Sequence, residues 1–359
     1  MTSIFTFRPL HAAMLGACAF ACAGQVSAHT FCAANSAQLR AALSAVSDGG
    51  AYANEDDTIN IAGGTHHTDG QEFFYSSTSA HVLNIIGTGT PNCGFIAQKA
   101  SLTILDGDDK SRVFETHSTR GAVLFQFLTI QNGHVGANES GGGLSMNAFT
   151  GDNGQPLVNL VIIRDNHAGF GGGFLIGNGG DYGIDFGNNL VVRNSADFNA
   201  GAGEIINNGS NGTGTRIISN TFTKNTVGQS PASAVGGLYL HTVTHDTLSN
   251  NIFWNNSGYD VKSDIAALVD NDYDTDFNAP AAGSSGNHHL DPQFVGPANF
   301  RLAATSPLLG IGTLNPPGGY LSGIDIDANV RVVNGKIDLG AFERQGSTAS
   351  AASMNGVED

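Results

Sequence analysis

Across the middle of the chain, short apolar runs alternate with clusters of turn-forming residues, and the alternation repeats. A glycine cluster leading into an apolar run occurs as GGGLSM from Gly141, GGGFLI from Gly171, GAGEII from Gly201 and GGLYL from Gly236; the first three start 30 residues apart. Between them lies a second set of runs, each ending on a polar residue: LTIQN at Asn132, VIIRD at Asp165, LVVRN at Asn194, TFTKN at Asn225 and IFWN at Asn255. The runs are three to six residues long, rich in β-branched and apolar side chains and bounded by Gly, Asn and Ser. That pattern predicts strands and turns, with no run long enough for a helix. A unit of about 30 residues that cannot bury its own apolar face must stack on its neighbours. The repeats therefore predict an all-β parallel β-helix, a solenoid whose coils stack about 4.8 Å apart. A propeller blade needs about 40 residues and four strands, more than this spacing allows. Asn at equivalent turns is expected to hydrogen-bond its copy on the next coil, a ladder that satisfies amides otherwise buried without partners.

Ahead of the repeats the period changes. The stretch SAQLRAALSAVS from Ser36 to Ser47 puts Leu39, Ala42, Leu43 and Val46 on one helical face, with Ser36 in the N-cap position. A short N-terminal capping helix here would cover the open end of the solenoid, where exposed strand edges invite aggregation. Composition agrees with strand and turn: 49 of 359 residues are Gly, about twice the average of roughly 7%, and without the three-residue period of collagen. A hydrophobic fraction of 40% with only 13% charged residues excludes a disordered chain. The formal net charge of −16 argues against a nucleic-acid partner and toward neutral or cationic ones.

The segment from Phe5 to Ala28 is mostly apolar and small and ends in Val26-Ser27-Ala28, the pattern of a removed export signal. Lipoprotein processing at Cys18, in LGAC, is the alternative. No later stretch reaches the roughly 18 apolar residues of a membrane span, so a secreted or surface-held protein is expected. Removal of the signal leaves Cys32 and Cys93, an even pair in an oxidising context that reads as a disulfide, with free buried thiols as the alternative. The expected organisation is a signal peptide (1–28), an N-terminal capping segment (29–56), the β-helix (57–290), a C-terminal closing region (291–343) and a disordered tail (344–359).

The helix, DTINIAGGTH from Asp57, LTILDGDDKSRVF from Leu102, VLFQFLTIQNG from Val123 and the glycine clusters together resemble exported bacterial right-handed parallel β-helix repeat proteins, which share the overall shape of pectate lyases. The stretch HLDPQFVGPANFRLAATSPLLGIG followed by DIDANVRVVNGKIDLGAFE, from His289 to Glu343, is similar to the closing region of the choice-of-anchor Q group among them. Two positions depart from that group, which carries Asp where Gly310 stands and Gly where Ala328 stands. The resemblance implies a right-handed parallel β-helix and export; members mostly lack an assigned activity, so no reaction follows from it.

Several constellations bear chemistry. Next to the expected ladder position, Gln131, Arg164, Arg193, Lys224 and Trp254 align as one outward stripe, opposite the inward Ile130, Ile163 and Val192. Stacked cations with an indole at one end suit substrate binding to a polyanionic sugar chain, and Lys224 is a candidate catalytic base; long side chains that merely shield a β-surface are the alternative. Glu204 aligns with Leu144, Phe174 and Leu238, which would bury its carboxylate and suit it to general acid catalysis. A one-residue slip at Gly203 would instead turn Ile205 inward and Glu204 to solvent. Asp181 and Asp185, in the neighbouring turn, are possible partners in a carboxylate pair. His134 and His167 fall on equivalent positions with Asp165 nearby, a start for a metal site that later coils do not continue.

The run Asp270, Asp272, Asp274 and Asp276 in VDNDYDTDF would place four carboxylates on one face of a strand, and calcium is the ion such oxygen-only ligands would take; a solvated acidic edge is the alternative. Asp106, Asp108 and Asp109 in LDGDDK form a second acidic loop, and Asp325 and Asp327 a third, each readable as turn chemistry. No phosphate-binding glycine loop, zinc-type cysteine pairing or GxSxG nucleophile turn occurs, nor the WIDH and RxPxxR strings of the best-known pectate lyases. The expected function is binding of an extended polysaccharide or a cell-surface component along a lateral face, without catalysis. The alternative is a polysaccharide lyase or glycoside hydrolase acting on an acidic polymer.

Overall fold

The computed structural model describes residues 28–148, 154–180, 182–209, 214–228, 233–242, 246–263, 266–277, 282–319 and 321–346. Residues 1–27, which hold most of the expected export signal, Asp181, and residues 347–359, which hold most of the expected tail, lie outside the described residues.

Among those residues the chain forms a parallel β-helix with three long sheets and one short one. Sheet 1 has nine strands, among them His29–Ala33, Asp57–Ile61, Gln155–Asn159, Asp185–Gly187 and Arg216–Ile218. Sheet 2 has seven, including Gly64–His67, Thr103–Asp106, Thr129–Gln131, Ile162–Arg164, Leu190–Val192, Thr221–Thr223 and Ile252–Trp254. Sheet 3 has eight, including Phe73–Ser77, Phe114–Ser118, Leu144–Ala148, Phe174–Asn178, Gly203–Asn207, Val235–Thr242 and Tyr259–Ser263. The chain visits the three in turn, and each strand pairs in parallel with its copy about one repeat on, as Phe174 does with Gly203 and Ile163 with Val191. Alternate residues of all three sheets point into one core. Within it, the rings of Phe174 and Phe186 lie 4.8 Å apart and those of Phe222 and Phe253 4.7 Å apart.

Both corners that bound sheet 2 use the same device. A residue in the left-handed conformation turns the chain, and the next residue is asparagine. Before the strand these are Asn188-Asn189, Ser219-Asn220 and Asn250-Asn251; after it, Asp165-Asn166, Arg193-Asn194, Lys224-Asn225 and Asn255-Asn256, with φ between 53° and 59° at each first residue. Each asparagine carboxamide oxygen accepts the backbone N–H of the asparagine one coil back: Asn220 from Asn189 at 2.8 Å, Asn251 from Asn220 at 2.9 Å, Asn225 from Asn194 at 3.0 Å. The amide nitrogen meanwhile donates to a strand carbonyl, as Asn220 Nδ2 does to Phe186 O at 2.9 Å. The expected ladder is thus present and doubled, but its rungs differ from those aligned by sequence. Asn194 and Asn225 are rungs; Asp165 and Asn255 are the left-handed corner residues, and Asn166 and Asn256 take the rungs beside them.

The predicted helix spans Ser36–Val46 and buries Leu39, Ala42, Leu43 and Val46. Its N-cap is Asn35 rather than Ser36: the Asn35 side chain accepts the Gln38 N–H at 3.0 Å. Nor is it a terminal lid, because the strand His29–Ala33 precedes it and adds to sheet 1 through Asp57–Ile61. Cys32 of that strand is disulfide-bonded to Cys93, with Cα atoms 5.8 Å apart.

The region after His289 lies against the outer face of sheet 2. Outward Ile162, Leu190 and Val192 pack with Phe300, Ile326, Ala341 and Phe342, and Ile252 packs with Leu302, Leu308 and Leu339. Polar contacts pin the same seam: Ala341 N donates to Thr221 Oγ1 at 2.9 Å and Asn250 Nδ2 to Thr313 O at 2.9 Å. Apolar outward residues on these strands explain the arrangement, since their exposure would cost roughly 25 cal/mol for each Å² of surface.

Candidate functional site

Sheet 3 presents two adjacent outward columns of chemically capable side chains. Strand register places Phe74, Glu115, Ser145, Leu175, Glu204, Tyr239 and Lys262 in one column. Two residues further along each strand, Ser76, His117, Asn147, Gly177, Ile206 and His241 form the other. Their inward neighbours Phe73, Phe114, Leu144, Phe174 and Leu238 are buried, so alternation alone drives these side chains out of the core.

Two clusters occupy this face. In the first, Arg112 Nη1 meets Glu72 Oε2 and Glu115 Oε2, both at 2.9 Å, while Glu115 Oε1 meets His117 Nε2 at 2.8 Å. Burial pushes the Glu72 carboxyl above its ordinary value, and the Arg112 guanidinium opposes that shift. Phe74 lies edge-on to His117, 5.4 Å between centroids, and is 45% exposed. In the second, Glu204 Oε1 lies 3.0 Å from His241 Nε2, the His241 ring is 3.7 Å from that of Tyr239, and Lys262 Nζ donates to the Tyr239 hydroxyl at 2.9 Å. The Glu204 side chain is 15% exposed and that of His241 39%, so the carboxylate is held from below and the imidazole faces outward. Such an arrangement fixes the orientation of the ring. It offers carboxylate, imidazole, phenol and ammonium groups to a hydroxyl-bearing ligand.

Glu204 therefore adopts the shifted register. Gly203, not Glu204, pairs with Phe174 and Leu238, and Ile205 is inward and fully buried. A Cβ at Gly203 would stand 2.4 Å from the Phe174 ring, so the ring fills the place where a side chain would sit. Asp185 forms a two-bond ion pair with Arg216, both contacts 2.5 Å, on the outer side of sheet 1. That pair lies beside a groove of about 120 Å³ lined also by Leu124, Leu157 and Ile218.

The aligned stripe divides into two columns. Gln131, Arg164 and Trp254 share a strand column with Val192 and Thr223, whereas Arg193 and Lys224 sit one residue further on, at the left-handed corner. Arg164 Nε donates to Gln131 Oε1 at 2.8 Å. Arg193 closes on Asp165, and Lys224 Nζ donates to Pro297 O at 2.6 Å and lies 5.6 Å from the centre of the Phe300 ring. Trp254 packs on the cluster that holds Leu302 and Leu308.

The acidic run is not one strand. Asp270 is a corner residue with φ 50°; Asp272 is fully buried, and its Oδ1 accepts the Leu290 N–H at 2.8 Å; Asp274 is exposed; Asp276 begins a short strand. Burial raises the Asp272 carboxyl to about 7, with Asp260 and Asp274 adding to the rise and the Leu290 N–H opposing it. His134 and His167 do stack, their ring centroids 4.7 Å apart, and each has its own carboxylate, Asp109 at 3.0 Å and Asp197 at 3.5 Å.

The sequence reading did not single out His117, Tyr239, His241 or Lys262. A signal was available: each is polar or aromatic at an odd-numbered offset from a buried residue in a strand that follows a glycine cluster or a turn. No helix among the described residues is long and apolar enough to cross a membrane. Comparison with protein-family models, with curated proteins and with solved structures finds no match for the chain.

Proposed function

We propose that this protein is an exported parallel β-helix that binds an extended glycan along the outer face of sheet 3, without cleaving it. The observation that carries the reading is the pair of outward columns, in which Glu115 and His117 on one coil, and Glu204, then Tyr239 with His241, then Lys262 on three successive later coils, present hydrogen-bonding groups and aromatic surface. A polymer of sugar residues running along the stack meets such groups in succession. The face balances Glu72, Glu115 and Glu204 against Arg112 and Lys262, and the chain as a whole carries −16. A neutral, hydroxyl-rich polysaccharide suits that balance better than a polyuronate.

Export and kinship with the choice-of-anchor Q group rest on the sequence resemblance and the signal-like start. The Cys32–Cys93 disulfide suits an oxidising compartment. Ala328, at φ 67°, stands where that group carries glycine, the residue that adopts this conformation without cost.

The test is affinity electrophoresis of the mature protein through gels containing neutral or acidic polysaccharides. Retardation by a neutral glycan that Tyr239→Ala with His241→Ala abolishes is the expected result. Absence of retardation in every gel, or equal retardation of the double variant, overturns the proposal. A second reading, cleavage of an acidic polysaccharide, is favoured by one observation: Glu204 holding His241 in place beside Tyr239 and Lys262. New reducing ends, or the ultraviolet absorbance of unsaturated uronates, would replace the binding reading with that one.

A further inference from the structure

At the end of sheet 2 nearest the chain's start, three ligand-type side chains from two successive strands and the turn after them converge. His67 and Asp106 end the strands Gly64–His67 and Thr103–Asp106 and stand directly opposite each other in the register. Gln131 and Arg164 continue the same outward column on the next two coils. After Asp106 the chain turns back through Gly107, with left-handed Asp108 and Asp109, φ 55° and 56°. The turn brings Asp108 Oδ1 to 2.6 Å from His67 Nδ1. One ligand atom each from His67, Asp106 and Asp108 lies within 4.8 Å of the others.

The electrostatics of Asp106 are what make this cluster more than a turn. Its residue exposure is 6%, and its carboxylate accepts from neutral donors: the Asp108 N–H at 2.9 Å, Gln131 Nε2 at 2.7 Å and Asn132 Nδ2 at 3.0 Å. A buried carboxylate is ordinarily matched by a cation in contact with it. Here the nearest guanidinium in the column acts one residue removed, Arg164 Nε donating to Gln131 Oε1 at 2.8 Å. That chain orients the Gln131 amide, and Gln131 and Asn132 in turn fix the Asp106 carboxylate. Outer hydrogen bonds of this kind hold carboxylate ligands at metal centres.

We infer that His67, Asp106 and Asp108 form a binding site for one divalent transition-metal ion of the zinc class. One imidazole with two carboxylates suits such an ion, whereas calcium takes oxygen ligands alone. With three protein ligands, a further position stays open to water or to an anionic group. His67 is about half exposed, so the ion has access from solvent.

The experiment is isothermal titration of the chelator-treated, dialysed mature protein with zinc, and in parallel with calcium. Saturable uptake of one zinc, with calcium much weaker, is the expected result. His67→Ala and Asp108→Asn, both partly exposed and compatible with folding, should each lower zinc affinity at least tenfold. Gln131→Ala should lower it roughly tenfold through the loss of an orienting hydrogen bond. His134→Ala, in the neighbouring pair with Asp109, should leave it unchanged. No saturable uptake by the wild-type protein, or undiminished uptake by His67→Ala with an unaltered circular dichroism spectrum, overturns the assignment. Glycan retardation depends on sheet 3 and is a separate readout, so failure there and failure here are distinguishable.

Discussion

Arg193 reaches back across one coil to Asp165, its Nε and Nη2 lying 2.7 and 2.8 Å from the two carboxylate oxygens. Both residues occupy the same left-handed corner on successive coils, so the ion pair is a rung in a column of corner residues, one residue on from the strand column of Gln131, Arg164 and Trp254.

Because both side chains are about one-third exposed, solvent screens the pair, and Arg193→Ala should cost no more than about 1 kcal/mol of stability. Retardation in polysaccharide gels should be unchanged. Urea denaturation and the same gels check both expectations, and a large loss of glycan retention would return this corner to consideration as a binding surface.

Why the fold could be read from sequence while the site could not follows from where the information lies. Inward positions such as Ile163, Phe174 and Phe222 repeat because the core demands apolar side chains at a fixed alternation, and the glycine clusters mark the same turn on each coil. The repeat length, however, is not constant. The rungs Asn166 and Asn194 are 28 residues apart, while Asn194 and Asn225 are 31 apart. An alignment that matched Asp165 with Asn194 therefore put Arg193 beside Arg164, one residue from its place. The same one-residue ambiguity governed Glu204: the pattern set it against Phe174, but tertiary packing gives that place to Gly203 because the Phe174 ring already fills it. The surroundings of Lys224 were hidden for a different reason, since its ammonium donates to Pro297 O, 73 residues further along the chain, and no local pattern reveals that contact.

Within the ladders, each asparagine serves two coils. The Asn220 N–H donates to Asn251 Oδ1 at 2.9 Å, and Asn220 Oδ1 in turn accepts the Asn189 N–H at 2.8 Å. Asn220→Ala would leave the buried Asn189 N–H and the Phe186 carbonyl without these partners. Each unmet buried group costs about 1–3 kcal/mol, so the variant should lose roughly 2–5 kcal/mol. Hydrogen exchange should show faster exchange at Asn189 and its coil. Wild-type denaturation and exchange in this variant would contradict the account of the ladder.

A pH dependence of the opposite sense to acid denaturation is expected from two buried acids, Glu343 and Asp272. Burial raises the Glu343 carboxyl to about 8, with Asp338 adding to the rise and fully buried Arg331 opposing it; Asp272 rises to about 7. Unfolded, these groups titrate at roughly 4.3 and 3.9. The folded state thus holds these protons more tightly than the unfolded chain. Their contribution is complete below the unfolded values and is lost as pH climbs through the folded ones, by roughly 1.4 kcal/mol per pH unit for each group. Glu343→Gln keeps an oxygen to accept the Asp338 N–H, which Glu343 Oε2 now accepts at 2.9 Å, and removes the titration. Urea unfolding from about pH 5 to about pH 8 should therefore show a decline in stability that is shallower in the variant by roughly one group's slope. If wild type and variant decline in parallel, Glu343 does not carry a proton in the folded state and its burial is compensated by Arg331 instead.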